Sequence, residues 1–346
     1  MMKPWLLQEI GVDLGTTTVL IYVKGKGILL REPSVIAIVR DTREVKAVGD
    51  EAYRMLGRTP SNIIAVRPMR DGVIADYHMT EKMLKAFIGK VLTGPFNFLR
   101  FQIMVSVPSG VTEVERRAVL QATREVGARK AFLIEETLAA AIGAGVNIAE
   151  PTGSMIVDIG GGTTDIAVIS LGGIVVSESL RMAGNEFDEA LIRFVRHKEN
   201  LLIGDRSAEE VKVKVGAAII SKPEDVREIE VRGRDLINGL PKTVRITTED
   251  TIDALKEPLQ KIVDGVRRVL ELAPPELVSD IIDRGIIMTG GGSLLRNLDE
   301  LLRQGTGIPV AVAENATECV ALGTGKALDM LPVLQEALMT DGSLRR

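Results

Sequence analysis

The chain has 346 residues, 45% of them hydrophobic and 26% charged, with a net charge of −4 and a pI of about 5.6. That supplies core for two or more domains and argues against a mainly electrostatic grip on nucleic acid. The single Cys319 excludes an internal disulfide and fits a reducing compartment. No apolar run approaches the roughly 20 residues of a membrane span. The stretch Pro4-Trp5-Leu6-Leu7 is too short for a secretion signal. These features predict a cytosolic protein and leave peripheral attachment to a membrane open.

In chain order, residues 10–24 read as strand, Gly/Thr turn and strand, and Ile28 to Val39 as a second β-rich stretch broken at Glu32-Pro33-Ser34. Thr80 to Leu92 has helical spacing. Phe101, Ile103, Val105 and Val107 alternate as a strand does. Thr112 opens a helix with Glu115 three residues on, Gly127 closes it, and Val114, Ala118, Val119, Ala122 and Val126 form its expected apolar stripe. Ala131 to Ile134 reads as a short strand, and Thr137 to Ile142 as a small, apolar, closely packed helix. Glu150-Pro151-Thr152-Gly153 is a turn and marks a domain boundary. Asn185 to Val195 is helical, residues 204–245 suggest an inserted subdomain, and Ile252 to Leu272 reads as a long amphipathic helix. A strand then leads to Thr289-Gly290-Gly291-Gly292-Ser293, which is expected to open another helix. Strands alternating with helices in both halves indicate an α/β fold.

One phrase occurs twice. Val12-Asp13-Leu14-Gly15-Thr16-Thr17-Thr18 returns as Val157-Asp158-Ile159-Gly160-Gly161-Gly162-Thr163-Thr164-Asp165. Each copy reads as a hairpin whose turn lets backbone N–H and hydroxyl groups approach an anion. A carboxylate beside a phosphate needs a cation between them, so the expected ligand is a nucleotide with a divalent metal. Asp13 and Asp158 would serve Mg²⁺ through its waters. Thr16, Thr17, Thr18, Gly160, Gly161, Gly162 and Thr163 would cradle phosphates, and Gly290 to Ser293 would lie by the nucleoside. Gly323-Thr324-Gly325-Lys326 imitates the end of a P-loop. It lacks the first glycine, at Val320, and the closing Ser/Thr, at Ala327. No G-x-G-x-x-G follows the first strand. Glu135 and Glu136 are either candidates to activate a water or solvated glutamates at a helix start. Spacing does not choose between them. His78 and His197 lack partners at metal-ligand spacing. Phe96, Phe98 and Leu99 are an unusual apolar cluster in a chain only 3% aromatic. They suit either a membrane-inserting loop or a loop folded on the core.

The doubled hairpin resembles the actin, heat-shock-chaperone and sugar-kinase superfamily. The resemblance narrows to the MreB family of bacterial actins on Gly11 to Thr16, Glu32 to Ala37, Arg67 to Asp76, Val114 to Ala118, Leu133 to Glu136, Asp158 to Thr164, and Pro274 to Ile282 leading to Thr289–Ser293. The resemblance implies an actin-like, ribonuclease H-like duplicated ATPase fold, with two domains of two subdomains each around a nucleotide cleft. The segments would be 1–31, 76–148 and 320–346 for subdomain IA and 32–75 for IB. Subdomain IIA would take 149–181 and 246–319, and IIB 182–245. It implies ATP and Mg²⁺ as cofactors, Glu209 and Lys212 at the purine and ribose, and Glu136 positioning the attacking water with Thr164 and Asp158 nearby. It further implies ATP-promoted filaments on the inner face of the cell membrane, where they organise cell-wall synthesis and shape proteins. Phe96, Phe98 and Leu99 would contact lipid. One departure is local: the residue after Glu136 is usually proline in the family and is Thr137 here. The alternative activity is a small-molecule kinase of the same fold. A peptide-binding chaperone is disfavoured because the chain lacks a β-rich client domain.

Overall fold

A computed structural model of the chain describes residues 8–92, 101–332, 334, 339 and 340. Phe96, Phe98 and Leu99, like Trp5, Leu6 and Leu7, lie outside the described residues. The chain opens with an antiparallel meander, β1 (Gln8–Leu14), β2 (Thr18–Val23) and β3 (Gly27–Pro33). A small sheet follows, with β4 (Ile36–Val39) between β5 (Val45–Val48) and β6 (Ile63–Val66), and helix α1 (Asp50–Met55) after β5. The ribbon β7 (Met69–Arg70) and β8 (Val73–Ile74) leads to α2 (Tyr77–Val91), then β9 (Phe101–Val107), α3 (Glu113–Glu125), β10 (Lys130–Glu135) and α4 (Glu136–Gly143).

A second meander comprises β11 (Ser154–Ile159), β12 (Thr164–Ser170) and β13 (Gly173–Leu180). After it come α5 (Gly184–Glu199), β14 (Leu201–Leu202), α6 (Asp205–Val215), β15 (Glu228–Asp235), β16 (Pro241–Thr247), α7 (Thr248–Leu272) and α8 (Pro275–Arg284). The chain continues through β17 (Ile286–Thr289), α9 (Leu298–Thr306), β18 (Val310–Val312), α10 (Cys319–Ala327) and β19 (Met339–Thr340).

The two large sheets repeat one plan. One has the order β3-β2-β1-β9-β10-β19 and the other β13-β12-β11-β17-β18. In both, the strand carrying the repeated aspartate pairs antiparallel with its hairpin partner and parallel with the next strand inward. Asp13 and Asp158 therefore occupy the same place, near the carboxyl end of a central strand. Ligands of open α/β sheets gather at those ends.

Each sheet has its own core, the first around Ile10, Val12, Phe87 and Ile103, the second around Met155, Phe187, Ile262 and Met288. A third cluster joins them. Met104 and Ile134 of the first sheet and Ile156, Ala167 and Ile169 of the second pack on α4 and α10. The contact between those helices is at backbone distance, because a Cβ on Gly143 would meet the Cys319 carbonyl and one on Gly323 the Ala139 carbonyl.

Local signals hold where caps are clear. Thr112 and Glu115 form a reciprocal capping box. Gly127 ends that helix with φ +106°. Two expectations change. Val114 is 77% exposed, while α3 buries Val119, Leu120, Ala122 and Thr123. At about 100° per residue Val114 falls roughly opposite the centre of that buried face. The glycine triplet does not open a long helix either. It forms a 3-10 turn, Gly291–Leu294, and α9 begins only at Leu298. Gly290 has φ +81° and Leu295 is extended, so the chain changes direction on both sides. α7 starts before Ile252, at Thr248, behind a Thr247–Asp250 capping box, and runs 25 residues with Pro258 inside it. Among the described residues no helix is long and apolar enough to cross a membrane.

Gly323→Ala or Gly143→Ala forces the α4–α10 backbones apart and should destabilise the protein by about 1–3 kcal/mol. Gly89→Ala, inside α2 with nothing within 4 Å of the added Cβ, should stabilise it by up to about 1 kcal/mol. Urea unfolding midpoints check both; equal midpoints for Gly323→Ala and wild type would refute the tight crossing.

Candidate functional site

The two hairpin turns meet each other. A Cβ on Gly161 would run into Thr17, and one on Gly162 into Thr16 and Asp71. Glycine is needed there for loop to approach loop. The Thr16 hydroxyl accepts from the Gly72 N–H at 2.8 Å, and the Thr17 hydroxyl lies 3.4 Å from Asn185 Oδ1. Thr18 begins β2. The second turn is braced from behind by the start of α5, where Gly184 and Asn185 N–H groups donate to the carbonyls of Gly160 and Gly161 at 3.1 and 2.8 Å. Thr163 is buried and its carbonyl accepts from Gly160 N–H.

Behind the turns sit four carboxylates that interact. Asp158 is 5% exposed and accepts from the Thr289 hydroxyl at 2.6 Å. Asp13 lies 3.5 Å from the Ser106 hydroxyl. Desolvation pushes the Asp13 carboxyl up to about 7; the Asp158 charge adds to this and Ser106 opposes it. Burial pushes Asp158 up to about 7 as well, against the Thr289 hydrogen bond and with the Asp165 charge. Glu136, 8% exposed, is raised well above the usual carboxylate range by burial, then by Asp165, Asp13 and Asp158. Asp165 is fully buried and raised chiefly by that burial, while the Ser179 and Thr163 hydroxyls and the Ser109 N–H hold it down.

The structure separates the two glutamates that spacing left equal. Glu135 is half-buried with Arg116 3.8 Å away, whereas Glu136 points into the carboxylate group from the first turn of α4. Thr137, where the resembled family has proline, is fully buried with its hydroxyl 3.4 Å from that of Ser109, whose N–H donates to Asp165 at 3.0 Å. Register decides the rest. Asp165 pairs with Asp158, so both share one face of the hairpin, while Thr164 pairs with Ile159 on the other face. The Thr164 hydroxyl donates to the Met182 carbonyl at 2.6 Å. Asp165 is the site residue that sequence reasoning passed over, although it closes the repeated phrase.

The nucleoside-side candidates are spread over two elements. Gly290 packs against the Ile159 carbonyl and the Asp158 carboxylate, a place with no room for a Cβ, and its N–H donates to Ala316. Gly291 and Gly292 continue into the 3-10 turn, and buried Ser293 donates back to the Gly290 carbonyl at 2.6 Å. On α6, Lys212 donates to the Gly184 carbonyl at 2.9 Å and pairs with Asp188 at 2.8 Å, and Glu209 accepts from Tyr53 at 2.9 Å. Burial raises Asp188 to about 6 in spite of Lys212.

Among the described residues no three His, Cys, Asp or Glu side chains converge at metal-ligating distance. Asp13 and Asp158, close enough for one charge to shift the other, form a donor set for a hydrated hard cation that keeps its own waters. The buried residues Thr16 and Thr163 follow Asp13 and Asp158 in the two turns, three and five residues on. The residues present fit Mg²⁺ with a polyphosphate. His78 and His197 are both exposed and remote from this group in sequence and burial.

A family model described as MreB/Mbl protein matches residues 7–336. The chain is 54% identical over 327 residues to the cell shape-determining protein MreB of Escherichia coli strain K12, covering 93% of this chain and 94% of that protein. It is 50% identical over 328 residues to the cell shape-determining protein Mbl of Bacillus subtilis strain 168, covering 94% and 97%. Among solved structures, MreB5 of Spiroplasma citri bound to AMPPNP superposes with a TM-score of 0.89 at 39% identity, over 95% of this chain and 98% of that one. The MamK double helical filament shares the fold at 24% identity, with a TM-score of 0.78 over 93% and 98%.

Folded Asp13 and Asp158 hold protons up to about pH 7, whereas their ordinary value is 3.8. Between those values the native state binds more protons than the unfolded state, so their contribution to stability falls as pH rises through that window. Thermal unfolding with a chelator should show Asp158→Asn gaining on wild type from pH 4.5 to 7.5. Millimolar Mg²⁺ should restore the wild type at the upper end. A difference independent of pH and Mg²⁺ would remove the assigned pairing.

Proposed function

The chain belongs to the MreB/Mbl family, and on that premise we propose that it binds and slowly hydrolyses ATP with Mg²⁺. It assembles into filaments that help to set cell shape. The observation that carries this reading is the pair of aspartate-bearing hairpins, meeting tip to tip in front of four buried carboxylates. Support comes from the likeness to MreB5 of Spiroplasma citri, which was crystallised with AMPPNP and with ADP. Self-association is supported by the fold shared with the MamK filament.

In this reading Asp13 and Asp158 hold hydrated Mg²⁺, which supplies charge neutralisation at the phosphates. Thr16, Thr17 and Thr18 and the turn Gly160, Gly161, Gly162 and Thr163 fix the phosphate chain by hydroxyl and backbone donors. Glu209, Lys212, Gly290, Gly291, Gly292 and Ser293 flank the nucleoside. Glu136 orients the attacking water, and its carboxyl is held well above the usual carboxylate range by burial and then by Asp165, Asp13 and Asp158. Asp165, on the face of Asp158, stands nearer this chemistry than Thr164, whose hydroxyl is engaged with Met182. The division into IA, IB, IIA and IIB is supported by the four sheets of three or more strands among the described residues: the two large ones, β5-β4-β6 and β14-β15-β16.

The filament is proposed to lie at the inner face of the cell membrane, in the cytoplasm, with Phe96, Phe98 and Leu99 touching lipid and cell-wall synthesis and shape proteins as partners. Apolar composition in that segment and the family membership support this. A small-molecule kinase is not favoured, because the chain's relatives at 50–54% identity are named for cell shape.

Asp158→Ala should abolish Mg²⁺-dependent ATP hydrolysis. Glu136→Gln should slow it by about 100-fold or more while nucleotide binding persists. Phosphate release and equilibrium binding measure the two separately, and unchanged turnover in either variant would withdraw its role. Electron microscopy with Mg-ATP and lipid should show filaments or sheets; their absence across salt conditions counts against assembly. Serine at positions 96, 98 and 99 should release the protein from anionic liposomes with ATP binding intact. Unaltered co-sedimentation would reject the lipid contact.

A further inference from the structure

The two halves also touch away from the hairpin turns. Tyr53 lies on α1 and Glu209 on α6, 156 residues apart, and the Tyr53 hydroxyl donates to Glu209 Oε2 at 2.9 Å. The Tyr53 ring has a guanidinium from each half beside it. Arg67 lies 5.9 Å from the ring centroid and Arg206 5.6 Å. Arg206 and Glu209 are three residues apart on α6, hence on one helix face, and both engage Tyr53, one at its ring and one at its hydroxyl.

Contacts on each side tie this pair to the turns. On the second half, Lys212 lies on the same face as Glu209 and reaches the Gly184 carbonyl, and the Gly184 N–H rests on the Gly160 carbonyl. On the first half, Ser34 N–H donates to the Thr17 carbonyl, Val35 accepts from Gly49 N–H, and Gly49 precedes α1. Thr17 meets Gly161 at one end of this circuit and Tyr53 meets Glu209 at the other. A ligand seated on the turns with its nucleoside toward α6 is enclosed between the two contacts. Burial and Glu209 raise the Tyr53 phenol above its ordinary 10, so it remains a donor at neutral pH.

We infer that Tyr53 is a positioning residue of the nucleotide site: it holds Glu209 from the opposite wall and thereby slows nucleotide release. This rests on the nucleotide reading given above. It adds a residue and a step, release, to that reading.

The test is stopped-flow release of a fluorescent ATP analogue from the full chain with Mg²⁺, beside single-turnover hydrolysis of prebound ATP. Tyr53→Phe keeps the ring between the guanidiniums and removes the donor. Release should quicken about three- to tenfold, the scale of one partly solvated hydrogen bond to a carboxylate. Tyr53→Ala should release faster still. Single-turnover hydrolysis should stay within about twofold in both variants, because Glu136 and the aspartates are untouched. A general loss of structure would slow hydrolysis as well and would overturn the inference. Should the alanine variant fail to fold, Tyr53→Phe decides alone. Wild-type release rates in the folded variants, with wild-type protein binding nucleotide, would overturn the inference and leave the site standing. Failure of wild-type protein to bind the analogue would overturn both.

Discussion

The site depends on the backbone contact between α4 and α10. Two sheets built on one plan bring their aspartates together only if something narrow joins them. Here the joint is a pair of helices whose glycines, Gly143 and Gly323, let main chain touch main chain. Seven of the eight residues of α4 are buried, and they include three consecutive alanines. α10 also lies against β1, where Gly11 leaves no room beside Thr324 and Gly325. Because Glu136 is the first residue of α4, the aim of its carboxylate is set by this packing and not by a flexible loop.

What the joint brings together is electrostatically unfavourable by itself. Burial raises the proton affinity of Asp13, Glu136, Asp158 and Asp165, and in the first three a neighbouring aspartate's charge adds to it. A core optimised for stability alone would not keep them. A cation and a polyphosphate completing the site, as proposed, would offset that cost and would make stability and ligand binding one linked equilibrium. The surrounding hydroxyls of Ser106, Thr289, Ser179 and Thr163 moderate the cost without removing it.

Much of this was legible in advance. Both hairpins follow from apolar alternation interrupted by Asp and Gly/Thr turns, and the helix after Thr112 follows from its capping box. Residue choices between near neighbours were not legible. Thr164 and Asp165 differ only by which face of β12 they occupy, and that depends on a register fixed when Asp158 pairs with Asp165. Glu135 and Glu136 differ by one step at a strand-to-helix junction. Val114 fits an apolar stripe on paper, yet lies about opposite to the buried side of α3. Tyr53 carries no sequence signal at all, since its partner is 156 residues away.

The sequence by itself determined the α/β class, the duplicated aspartate turns and the family, because these rest on local propensity and on contiguous motifs. Tertiary structure alone decided which carboxylates share a face and that glycines in the second turn serve loop-to-loop contact. It also joined a tyrosine of one half to a glutamate of the other. Those facts arise from pleat register and long-range packing, and neither is written in any short stretch of the chain.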